Sequence, residues 1–149
     1  MKTNKMITAL FVLLFSSLSV FSQKNEVTIP DVSVVAGKSI TLPIYLENSA
    51  DVVAVQFTLE LPDGFYLDAD AASLTERANG HSAKMKYIAY NKYMAMIFSS
   101  ENQPIVGRTG ILMNVPLYAY DGMQDDSTYL MTLSDVVIAN REGDNIITG

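Results

Sequence analysis

The amino-acid sequence predicts an all-β sandwich. Three observations carry this. Two segments of strict period-2 alternation lie back to back between Lys38 and Leu61. Eight or nine short β-prone runs follow one another with turn residues roughly every ten positions. No stretch of the mature chain sustains the 3.6-residue apolar period of an amphipathic helix.

Taken in order, the chain opens on a leader. Lys2 and Lys5 precede an apolar run over Ile7–Phe15, and Val20-Phe21-Ser22 ends in a small residue before Gln23. That order is a secretory signal peptide, too short in its apolar part to span a bilayer, with cleavage expected after Ser22. Residues 23–149 then form one domain. Glu26–Ile29 is a short strand closed by Pro30-Asp31, and Ala36-Gly37 is a turn. In the first central strand Ile40, Leu42, Ile44 and Leu46 share one face, with Thr41, Tyr45 and Glu47 on the other. In the second, Val53, Val55, Phe57, Leu59 and Leu61 point one way and Ala54, Gln56, Thr58 and Glu60 the other. A charge at Phe57 is therefore expected to abolish folding, and one at Thr58 to be mild. The link Asn48–Asp51 suits either a hairpin or a step between sheets.

Pro62-Asp63-Gly64 ends the second strand, and Phe65–Leu67 is a brief one. Residues 68–77 read as a loop with a short strand near Leu74. After the Asn79-Gly80 turn, His81–Ala89 and Tyr93–Ser99 make a hairpin around Tyr90-Asn91-Lys92. Glu101–Thr109 is a loop, and Gly110–Tyr120 a long strand with Ile111, Met113, Val115, Leu117 and Ala119 inward. Pro116 and Pro43 donate no ladder hydrogen bond and belong at an edge or a bulge. Tyr129–Ala139 closes the set, its inward phase slipping at Ser134-Asp135 as a bulge would make it. Residues 141–149 read as a turn and the start of a further segment, as in a chain that continues into a longer protein.

Composition bounds the work such a domain does. The full sequence has 149 residues, 10 basic and 16 acidic, and no cysteine. The leader carries two of the lysines and no acid, so the 127 residues after it have 8 basic and 16 acidic side chains, a formal charge of −8. Such a surface repels phosphates and anionic headgroups, which excludes nucleic acid as a partner and, with no later apolar span, membrane insertion. Without cysteine there is neither a disulfide framework, a thiol nucleophile nor a lipid-anchor acceptor.

Reaction chemistry is absent from the motifs. His81 is the only histidine, no nucleophile elbow accompanies it, and beside Asn79-Gly80 it reads as a solvated strand-end residue. One histidine without cysteine does not make a zinc site. Asp121, Asp125 and Asp126 offer oxygens of the kind calcium accepts, but not at the EF-hand spacing, and read as a solvated loop. Neither a cofactor nor an enzymatic activity is expected. Methionines at 85, 94, 96, 113, 123 and 131 read as core and rim filling. Tyr90, Tyr93 and Tyr118 are the candidate carbohydrate-binding residues, because exposed tyrosine rings stack on the apolar faces of sugars.

The runs V-x-I-P-D-V-x-V-x-x-G-K-S-I-T-L-P-I-Y-L-E-N at 27–48, V-A-V-Q-F-T-L-E-L-P at 53–62 and G-I-L-M-N-V-P-L at 110–117 resemble cohesin-like domains. The resemblance covers most of residues 26–140, and the leader is similar to those of Bacteroidetes proteins. It implies a jelly-roll β-sandwich of about nine strands, with Asn48–Asp51 crossing between sheets. It also implies an exported, periplasmic, cell-surface or secreted, non-catalytic interaction module. Cohesins proper hold dockerin modules through the solvent face of the sheet whose strand matches Val52–Leu61. Dockerin-binding members commonly offer Asn and Asp there, where this sequence has Ala54 and Gln56, a departure from the pattern. The expectation is a monomer that meets a protein partner, dockerin-like, with Gln56, Thr58 and Glu60; the alternative partner is a polysaccharide bound by the tyrosines.

Overall fold

A computed structural model describes residues 22–149. The expected leader thus lies, Ser22 apart, outside the described residues. These form β1 (Asn25–Thr28), β2 (Val32–Ser33), β3 (Ser39–Asn48), β4 (Ala54–Glu60), β5 (Phe65–Leu67), β6 (Ser73–Leu74), β7 (Ser82–Ala89), β8 (Lys92–Phe98), β9 (Ile111–Ala119), β10 (Thr128–Tyr129) and β11 (Thr132–Ala139). Two short 3-10 turns, Ala69–Ala71 and Glu76–Ala78, flank β6. One sheet has the order β1-β3-β9-β5, with β6 also against β9; the other is β11-β4-β8-β7. The short pair β2-β10 stands beside them. The fold is the jelly-roll sandwich expected, with extra strand labels because its edges are broken into short pieces.

The period-2 segments explain the two layers. Leu42, Ile44 and Leu46 of β3 and Val55, Phe57 and Leu59 of β4 are all essentially inaccessible to solvent, and they meet across the sandwich with Ile97, Val115, Leu117 and Ile138. Because β3 and β4 belong to different sheets, Asn48–Asp51 is the crossover, not a hairpin. The β7–β8 loop is shorter than expected. It is Tyr90-Asn91, with Asn91 at φ +54, and Lys92 already belongs to the ladder opposite Glu60.

The β9 alternation needs a correction. Met113, Val115, Leu117 and Ala119 are buried, but Leu112 replaces Ile111 as a fully buried residue. The β3–β9 ladder goes from Ile44↔Met113 to Tyr45↔Ile111, so Leu112 is an extra residue whose bulge reverses the phase. The expected β11 bulge is present between Ser134 and Val137, with Asp135 at φ +50.

Both prolines sit in ladders, each at a place where a strand is missing on one side. Ala119 N–H donates to Lys38 O of the β3 side, so by alternation the donorless nitrogen of Pro116 faces the other way. There β5 pairs only Leu117 to Ala119 and β6 only Met113 and Asn114, leaving a gap beside Pro116. Leu46 N–H likewise donates toward β9, so Pro43 faces the β1 side, where the β1 ladder has ended at Tyr45.

Polar contacts bind the segments that the sheets leave loose. Arg77 donates from Nε to Val106 O (2.8 Å), from Nη1 to Leu46 O (2.7 Å) and Gly110 O (2.8 Å), and from Nη2 to Asn48 Oδ1 (2.8 Å). Asn48, 1% exposed, donates in turn to Ala50 O. On the opposite edge the C-terminal segment ties the sheets together. Ile146 N–H donates to Ile138 O of β11, and Thr148 N–H to Asn25 O of β1. The acidic loop is also engaged in structure: Asp125 Oδ1 accepts from Ala36 N–H at 2.7 Å. Asp121 comes so close to Gly37 (φ +68) that a Cβ would overlap its carboxylate.

Candidate functional site

The outward parity of β4 lies on an open sheet face whose composition is read directly from the ladders. Four rows cross β11, β4, β8 and β7 in that order: Ala139–Ala54–Phe98–Ser82, Val137–Gln56–Met96–Lys84, Ser134–Thr58–Met94–Lys86, and Thr132–Glu60–Lys92–Ala89. The first two rows are chiefly apolar, and Ala54, Gln56, Met96, Phe98, Val137 and Ala139 enclose a shallow hollow of about 130 Å³. Met96 is 45% exposed, unusual for so large an apolar side chain at the middle of a sheet.

Charge is arranged around this centre. Glu60 Oε2 pairs with Lys92 Nζ at 3.2 Å, an exposed ion pair that contributes little to stability. Lys84 and Lys86 are exposed on the β7 edge, and neither has a carboxylate within ion-pair distance among the described residues. An otherwise acidic protein therefore carries a basic margin along one side of an apolar face.

Of the three β4 residues expected to meet a partner, Gln56 and Glu60 are half-buried on this face and able to make contact. Thr58 requires a correction. It has the outward parity, but it is only 2% exposed and its Oγ1 has no hydrogen-bond partner. It lies in an interior strand between Ser134 and Met94, so parity alone does not bring it to solvent. Met94, Met96, Phe98, Lys84 and Lys86 complete the face, and the reading of Met94 and Met96 as packing residues did not identify it.

Of the three candidate tyrosines, Tyr90 and Tyr93 line one cleft, and Tyr118 lies outside it. Tyr90 is 74% exposed at the hairpin tip, where its Oη donates to Asp63 Oδ1 at 2.9 Å; that bond, the largest cause, raises its pKa. Tyr118 is 44% exposed on the outside of the other sheet, 6.1 Å from the ring of Tyr66. Tyr93 is corrected from surface to core. It follows the inward parity of Ala95 and Ile97, is 8% exposed, and stands edge-on to Tyr87 with ring centroids at 5.6 Å. Burial, above all, raises its pKa and keeps the phenol neutral.

His81 also departs from expectation. Both ring nitrogens are shielded from water and without a hydrogen-bond partner, so it is not a solvated strand-end residue. Among the described residues no three His, Asp or Glu side chains converge as a metal site would require. No described helix is long and apolar enough to cross a membrane.

Comparison with known proteins agrees with this architecture. The family model of the cohesin domain matches residues 25–149. A search of curated proteins finds no match. Among solved structures, the chain is similar to a non-cellulosomal cohesin from the archaeon Archaeoglobus fulgidus, with 17% identity and a TM-score of 0.62 over 80% of this chain and 82% of that one. It is similar to a chain of a type I cohesin–dockerin complex from Clostridium thermocellum, at 14% identity and TM-score 0.69 over 84% and 92%. It also resembles a type III cohesin module of a cell-surface anchoring scaffoldin from Ruminococcus flavefaciens, at 16% identity and TM-score 0.66 over 83% and 76%.

Proposed function

The chain belongs to the cohesin family, and on that premise we propose that its mature part is an exported, monomeric, non-catalytic module that holds a dockerin-like protein through the outer face of the β11-β4-β8-β7 sheet. The observation that carries this reading is the composition of that face: an apolar centre at Met96, Phe98 and Val137, flanked by Gln56 and edged by Lys84 and Lys86. Interfaces of this kind gain affinity from a desolvated apolar centre, while rim charges set encounter rate and partner choice. With Ala54 and Gln56 on β4 rather than Asn and Asp, the partner is recognised more by apolar burial and by carboxylates facing the lysines than by contacts to β4 polar groups.

Binding of purified dockerin modules, followed by calorimetry and surface kinetics, tests the face. Met96→Glu is expected to weaken binding at least about tenfold, near 1.4 kcal/mol, with little change in melting temperature because residue 96 points to solvent. Lys84→Glu with Lys86→Glu is expected to slow association and flatten its salt dependence. Dockerin binding unaffected by both changes and by Gln56→Lys would remove this face from consideration. Export is expected to leave Gln23 as the N-terminus, and a secreted product starting at Met1 would contradict it.

A further inference from the structure

A second recessed surface lies where β5 of one sheet meets the β7–β8 hairpin tip of the other, and it adjoins the open face through Ala69 and Asp70, which also line a hollow with Lys84, Lys86, Met94 and Met96. It is a cleft of about 500 Å³, within the range of small-molecule sites. Its walls include Tyr66, Tyr87, Tyr90 and Tyr120, which are 50%, 55%, 74% and 59% exposed. Four tyrosines left this open around one hollow present a concentration of aromatic surface that folding alone does not use.

Three of these rings, Tyr66, Tyr87 and Tyr90, are held in place although they are exposed. Tyr90 is fixed at its tip by Asp63, which also accepts from Asn91 Nδ2 at 3.0 Å. Tyr66 lies tilted against Tyr118, and Tyr87 edge-on to the buried Tyr93. Tyr120 is placed at the cleft by its main chain, whose N–H donates to Gly64 O. Orientation fixed in advance lowers the entropy lost when a ligand stacks on them. The polar groups in the cleft are Asp68, Asp70 and Asn91, and no lysine or arginine lines it.

We propose that this cleft binds a neutral pyranose unit of a glycan, whose apolar ring face stacks on Tyr90 and its neighbours while its hydroxyls donate to Asp68 and Asp70. Carboxylates accept from hydroxyls and repel negative charge, and with Lys84 and Lys86 confined to the adjoining hollow rather than the cleft itself, the site favours neutral over uronate and sulfated sugars. The tyrosine walls of the cleft are distinct from Gln56, Phe98 and Val137 of the protein-binding face, and the two surfaces adjoin at Asp70.

The test uses the mature domain with neutral gluco-, xylo- and manno-oligosaccharides and an oligogalacturonate as probes. Because the chain has eight tyrosines and no tryptophan, intrinsic tyrosine fluorescence reports on these rings, and calorimetry gives the affinity. At least one neutral oligosaccharide is expected to bind and the uronate not to, with Tyr90→Ala and Tyr66→Ala each weakening binding about tenfold or more at unchanged melting temperature. Gln56→Lys, which lies on the dockerin face but borders neither the cleft nor the hollow beside it, is expected to leave sugar binding intact, which separates this site from the dockerin face. The proposal is overturned if no neutral sugar binds at millimolar concentration, if the uronate binds equally well, or if tetramethylammonium binds where sugars do not, since that would mark a cation cage.

Discussion

Arg77→Met is expected to lower the unfolding free energy by about 3 to 5 kcal/mol, a third or more of what a domain of this size usually has. The guanidinium spends its donors on three backbone carbonyls and Asn48 Oδ1, all 2.7–2.8 Å away. These acceptors belong to β3, to the start of the β3–β4 crossover and to the loop that leads into β9. One side chain thus ties the turn that carries it to the end of the β3–β9 pair and to the loop at Val106, in a protein without disulfides. Methionine preserves much of the stem packing and removes every donor, leaving partly buried acceptors that each cost about 1 to 3 kcal/mol when unpaired. Water reaching the exposed Nε side relieves some of that, so the terms do not simply add.

Arg77→Lys separates charge from geometry. An ammonium keeps the charge but cannot reproduce a planar fork that reaches four acceptors, so about half of the loss is expected to remain. Burial lowers the Arg77 pKa, yet the group stays protonated at any working pH, so the comparison is not confused by titration. Urea unfolding of both variants, of Asn48→Ala and of the Arg77→Met/Asn48→Ala double variant completes a double-mutant cycle, in which the Arg77 and Asn48 losses are expected to overlap rather than add. A loss below about 1 kcal/mol for Arg77→Met would show the network to be incidental.

How much of this was legible in the sequence depends on whether one parity of a strand differs from the other. In β3 and β4 the inward set is apolar and the outward set mostly polar, so alternation alone located the core and the open face. In β8, Lys92–Phe98, Tyr93, Ala95 and Ile97 alternate with Met94, Met96 and Phe98, and both sets are apolar. Period-2 reasoning therefore had no basis for sending Tyr93 inward and Met96 outward. The bulge at Leu112 was hidden for the same reason, since Ile111 and Leu112 are equally suited to a core. Arg77 gave no signal, because its partners are main-chain carbonyls far along the chain. The cleft tyrosines come from three separate segments that only the fold brings together.

Phe57→Asp is expected to abolish the cooperative fold altogether. The ring is inaccessible to solvent, opposite Ala95 in the ladder and at the centre of the contact between sheets. Loss of the aromatic ring alone costs about 3 to 5 kcal/mol, and an isolated carboxylate has no cation in the core to pair with, so the sum exceeds the stability available. The neighbouring position is equally closed to charge, but there an apolar substitution has the opposite sign. Parity suggests that Thr58 tolerates a charge, but at 2% exposure a carboxylate there is also desolvated, and Thr58→Asp is expected to be strongly destabilising. Thr58→Val keeps the shape and removes a hydroxyl that has no partner, so it is expected to stabilise by about 1 kcal/mol, raising the melting temperature by roughly 3 to 5 °C. Calorimetric melting of the three variants is decisive: a cooperative transition in Phe57→Asp would refute the β4 register, and a lower melting temperature in Thr58→Val would mean that the hydroxyl is bonded after all. Because residues 57 and 58 lie on opposite faces of one strand, the contrast shows that both sides of β4 are closed to water at its middle. A partner on the outer face must therefore bind around Thr58, at Gln56, Met96 and Lys84, rather than to it.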